Sequence, residues 1–150
     1  MILALCTSRA MSQTDLTLTT FNHAAYIRDG VTTYHLTDSS LDVTVRYFGA
    51  KEPKLVYQKK LSPSDSANSP IAAALGLDSL KDFYMNYCIM PTSGTEYSLT
   101  IKTGDRTKKI GLHHYYLEQI QNLIDRLNSY LPKEYQCQSV SKTNKQDCKL

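Results

Sequence analysis

Between residues 116 and 131 the chain carries its strongest folding instruction. Tyr116, Leu117, Ile120, Leu123, Ile124, Leu127, Tyr130 and Leu131 recur at the spacing of one helix face. Glu118, Gln121, Asn122, Asp125, Arg126 and Ser129 take the other, and Pro132 stops the run. An apolar stripe of several turns must be covered, and 150 residues suffice for one sizeable core. The largest surface able to cover it is a sheet, so the chain is expected to fold as an α+β domain with this helix packed on the strands.

The sheet is legible as alternation. Residues 16–20 alternate apolar and polar. Asp29-Gly30, between the strand-like runs 24–27 and 31–36, is a hairpin signal. Residues 41–48 alternate over a full strand length, 49–53 form a turn cluster, and 54–61 return. These segments predict an N-terminal four-stranded antiparallel meander. Ser69 before Pro70 predicts a short middle helix over residues 70–75, stopped by Gly76, and Asp78 caps a second short turn through Tyr84. The apolar run 87–90 reads as a buried strand. Residues 96–102 and 108–110 read as a later hairpin around a tip at 103–105.

The two ends differ from the body. Residues 1–12 open apolar and close on Ala10-Met11-Ser12, the small-x-small pattern of a signal-peptide cleavage site, so they are expected to be a truncated signal peptide. The alternative is a true start at Met1, which begins an ordinary buried strand and implies a cytoplasmic protein. A lipid anchor at Cys6 is disfavoured by the bulky Leu3 and Leu5 before it. Residues 139–150 are polar and aperiodic and are expected to be a disordered tail, which leaves one domain over 13–138. Arg9, Lys142, Lys145, Lys149 and Asp147 all fall outside that domain, so the net charge of +3 resolves into a body with 13 basic and 13 acidic groups. A neutral body argues against nucleic acid as a partner. No membrane span is expected.

The four cysteines, Cys6, Cys88, Cys137 and Cys148, lack metal-ligand spacing. With Cys6 cleaved away, an oxidising compartment allows one disulfide: Cys88–Cys137, or Cys137–Cys148 closing a tail loop. Unpaired thiols throughout are equally open. His113-His114-Tyr115-Tyr116 is the most prominent polar cluster. Adjacent histidines point in different directions and do not share an ion as an i, i+4 helical pair does, so no metal and no cofactor are expected. Either histidine could join His23 or His35 in a composite site, which only the fold can arrange. Residues 92–96 lack the elbow that exposes a nucleophilic serine, and 104–109 lack the glycines and the ending of a phosphate-binding loop. No catalytic residue is assigned. Eleven tyrosines with no tryptophan suit half-buried sheet faces and equally suit a binding surface.

The stretch from residue 41 to 135 resembles small uncharacterised exported proteins of Bacteroidota-type bacteria. The resemblance rests on Asp78-Ser79-Leu80-Lys81-Asp82, on Thr92-Ser93-Gly94-Thr95-Glu96-Tyr97 and on Leu112-His113-His114-Tyr115-Tyr116. Gln13 directly after a small-x-small site is also similar to that group. The resemblance implies a compartment and no activity. The leading expectation is a non-enzymatic binding or interaction module of the cell envelope, periplasmic or secreted, one form of which would be an immunity or inhibitor protein. Its partner would be a protein or small ligand, met through His113, His114, Tyr115, Tyr97 and Glu96. The alternatives are an envelope enzyme with a site assembled around His113 and His114, and a structural envelope component.

Overall fold

The computed structural model describes residues 14–23, 30–62, 75–90 and 92–142. They form a seven-stranded sheet with one α-helix against it. The strands are β1 (Thr14–Asn22), β2 (Val31–Leu36), β3 (Ser40–Arg46), β4 (Lys54–Lys60), β5 (Phe83–Met85), β6 (Thr95–Thr103) and β7 (Arg106–His113). The helix, α1, spans Glu118–Asn128. Spatial order is β4-β3-β2-β1-β6-β7-β5. The first four strands form an antiparallel meander, although the expected strand-like run 24–27 and the Asp29 side of its turn lie outside the described residues, and β6 and β7 are the expected hairpin, longer at both ends.

The sheet has one face for the core and one for solvent because each strand alternates. Leu16 and Leu18, Tyr34 and Leu36, Leu41 and Val43, Tyr97, Leu99 and Ile101, and Ile110 and Leu112 are all buried. Against them lies the stripe of α1, in which Ile120, Leu123, Ile124 and Leu127 are fully buried. Burying each such side chain contributes roughly 1.5–3 kcal/mol, and this layer-on-layer contact is the main source of stability. The opposite face is polar, with Thr17, Thr19, Thr33 and Thr100 half-buried and the Thr19 and Thr33 hydroxyls 3.3 Å apart.

Five expectations need correction. The sheet is mixed, because β5 runs parallel to β7. That strand occupies 83–85, where a helical turn was expected, while 87–89 form a turn instead of a strand. Here Tyr84 sits two residues from Asn86, which is fully buried and whose N–H donates to the His113 carbonyl at 3.0 Å, so pairing with β7 overrides a weak local signal. α1 ends three residues short of Leu131. Tyr130 and Leu131 close tight i to i−3 bonds onto Leu127 and Asn128, so the last turn tightens before Pro132. The packed chain also continues past residue 138: Val140 is buried and its N–H donates to Gln121 Oε1 at 2.8 Å. The middle helix over 70–75 and the signal segment 1–12 lie outside the described residues, apart from Leu75, which opens a 3-10 turn (Leu75–Ser79) running through Gly76.

The pairing Cys88–Cys137 is also corrected. Cys88 is disulfide-bonded, but Cys137 is a free, buried thiol. Cys137 lies on the helix-covered side, hydrogen-bonded to Tyr34, whereas Cys88 sits in the exposed turn after β5. The Asn128 side chain fixes Cys137 from both sides, accepting from its N–H at 2.7 Å and donating to its carbonyl at 2.9 Å. No helix of the described residues is long and apolar enough to cross a membrane.

Candidate functional site

One end of the sheet collects the polar side chains that the sequence scatters. Antiparallel register pairs Phe21 of β1 with Glu96 of β6, and Glu96 with His113 of β7. The three side chains therefore stand in one cross-strand row on the face opposite α1. His23 follows two residues after Phe21, and its backbone N–H donates to the Gly94 carbonyl at 2.9 Å. The edge of Phe21 packs on its ring, with centroids 4.4 Å apart and planes at 75°.

Three imidazoles stack here. His23 and His113 lie 5.1 Å apart and 16° from parallel, and His113 and His114 lie 4.4 Å apart and 18° from parallel. His113 in the middle is only 5% exposed. Its Nε2 is 3.2 Å from the Ser93 carbonyl, and because a carbonyl only accepts, Nε2 carries the proton and Nδ1 is left as the acceptor in the neutral ring. His23 Nε2 is buried, makes no aligned hydrogen bond, and lies 3.4 Å from Glu96 Oε2. The contact is close enough for charge attraction and too poorly directed to satisfy the nitrogen.

His114 adopts φ 55°, the left-handed region that few non-glycine residues occupy. Gly94 makes room for it. At φ 74° a side chain is disfavoured, and a Cβ on Gly94 would overlap Cε1 of the His114 ring. Gly94→Ala is therefore expected to displace His114 and to cost about 1–3 kcal/mol. The check is thermal melting together with the His114 ring shifts in NMR; an unchanged melt with unchanged shifts refutes the constraint.

A cleft of about 460 Å3 is lined by His114 together with Gly94, Thr95, Tyr97 and residues 138–141. Tyr97 forms part of its wall as a structural group. It is 3% exposed, and its one hydroxyl proton is shared between the carbonyls of Gln138 and Ser139, each at 3.1 Å. Of the residues expected at a site, then, Glu96 and His113 share the open-face row, His114 stacks on His113 and lines the cleft, and Tyr97 points to the core face. Tyr115 goes elsewhere, with its ring 5.2 Å from that of Tyr84. His35 is not part of this end either: it meets Asp15 at 2.9 Å. The residues that sequence reasoning did not place are His23, left as one of two possible companions, and Ser93, read as part of a turn.

The arrangement lacks a prepared nucleophile. Ser93 Oγ is 3.4 Å from His114 Nε2, but its proton goes to the Met90 carbonyl at 3.0 Å. Among the described residues no carboxylate orients His114, as the third member of a hydrolytic triad would. No protein-family model matches the chain, and no curated protein matches its sequence.

Proposed function

We propose that the chain is a small exported, non-enzymatic binding domain of the bacterial cell envelope, and that its ligand end is this end of the sheet. The observation that carries the reading is the convergence of His23, Glu96, His113 and His114 from three strand ends, with an unsatisfied buried nitrogen among them and no nucleophile held against a base. A buried polar atom without a partner costs about 1–3 kcal/mol, and such a cost persists where something other than stability is served. The disulfide at Cys88 supports export, because such bonds persist in oxidising compartments. An immunity or inhibitor role is one form this binding could take.

The 3.4 Å contact between Ser93 and His114 favours a second reading, an envelope hydrolase whose serine turns toward His114 when substrate arrives. The two readings separate in one pair of measurements. Fragment screening by amide NMR is expected to perturb His23, Gly94, Glu96, His113 and His114 together, and a panel of ester, amide and glycoside substrates is expected to show no turnover that depends on Ser93. Turnover lost in Ser93→Ala would replace the binding reading with the enzymatic one, and perturbations confined to other parts of the sheet would remove both.

A further inference from the structure

We infer that His23, Glu96 and His113 form a binding site for a divalent transition-metal ion of the zinc type, with further coordination positions left to water or a ligand. One ligand atom from each residue lies within 4.8 Å of the other two. Nitrogen and carboxylate oxygen donors in a two-to-one set suit zinc and its neighbours rather than calcium or magnesium, which take oxygen. This names the ligand class of the end of the sheet described above, and so rests on that reading.

Three features make this more than proximity. His23 Nε2 is buried without an aligned hydrogen bond, the state of a ligand atom whose partner is an ion. His113 has its Nε2 proton engaged by the Ser93 carbonyl, the outer contact that orients a ligating imidazole and leaves its other nitrogen free to coordinate. Glu96 is paired with His113 by strand register, lies 3.4 Å from His23 Nε2 and supplies the negative charge. Bonds of about 2.0–2.1 Å in a tetrahedral arrangement need donors roughly 3.3 Å apart, so the site must contract. His23 is the residue able to supply that movement. Its side chain is 24% exposed and stands beyond the end of β1, while His113 is buried and held in the stack. The in-plane lone pairs of two near-parallel rings do not converge, so coordination of one ion requires the His23 ring to turn out of its stack on His113.

The test is titration of the purified, metal-stripped full chain with Zn2+, read by calorimetry and by the rise in melting temperature. One equivalent is expected to bind. His23→Gln and Glu96→Gln, which keep side-chain bulk, are each expected to weaken binding by about tenfold or more. His35→Ala, which removes a histidine from the same face outside the cluster, is expected to leave it unchanged. His113→Ala removes a buried ring and risks misfolding, so the conclusion rests on the other two variants. No stoichiometric uptake, or uptake that neither variant weakens, overturns the inference. If the NMR perturbations still gather at this end in that case, the ligand end stands and the ion is excluded; if they do not, both fail.

Discussion

Raising the pH from about 8 to about 11 is expected to destabilise the fold by roughly 5 kcal/mol, a large part of the 5–15 kcal/mol that holds a domain of this size together. The cause is three buried acids in contact. Burial pushes the Cys137 thiol from an ordinary 9.0 up to about 12, and the tyrosines Tyr34 and Tyr97 beside it are raised well above their ordinary 10.0, again by burial first and by the charge of Cys137 second. Each group keeps its proton in the folded chain after the unfolded chain has released it. Their contribution is therefore fully present below about pH 9 and is lost as pH climbs toward the folded values. One such group weakens stability by about 1.4 kcal/mol per pH unit, and all three act together once the unfolded tyrosines titrate. Urea unfolding at a series of pH values checks this. Cys137→Ala should flatten the alkaline slope by one proton's share, and a urea midpoint that does not move between pH 8 and 11 refutes the coupling.

Local and long-range features of this fold are unequally legible in its sequence. α1 was legible because its signal is local: the period of Ile120, Leu123, Ile124 and Leu127 needs no knowledge of the partner. The meander was legible for the same reason, through alternation and turn chemistry. What escaped depends on register between strands far apart in the chain. His23, Glu96 and His113 meet because β1 pairs with β6 and β6 with β7 in one particular alignment, and a slip of one residue would send Glu96 to the core face. Nothing in the spacing of these residues encodes that alignment. Cys137 escaped likewise, since its free state follows from burial beside Tyr34 rather than from its distance to any other cysteine. β5 has three residues, too few for a period to emerge, and only its pairing with β7 makes it a strand.

Leu123→Ala and Leu55→Ala are the same chemical change and are expected to differ by several kcal/mol. Leu123 is 0% exposed in the middle of the α1 stripe, so truncation removes buried methyl groups and leaves a cavity that the surrounding strands cannot fill, at a cost of about 3–4 kcal/mol. Leu55 lies in a strand that alternates as well, yet it is 51% exposed. The difference comes from an irregularity in β4. Val43 pairs with Tyr57 but Thr44 pairs with Leu55, so Val56 is the extra residue of a bulge. The bulge turns the two neighbours of Val56 to opposite faces: Tyr57 packs against the core beside Tyr135, and Leu55 joins Thr44 on the polar face. Leu55→Ala should therefore change stability by no more than about 0.5 kcal/mol. Chemical denaturation of both variants measures the pair directly. A loss of 2 kcal/mol or more at Leu55 would mean that the bulge does not form and that β4 buries Leu55. A loss below about 1 kcal/mol at Leu123 would mean that α1 does not cover the sheet, and without that cover the polar face would not be the only one available to a ligand.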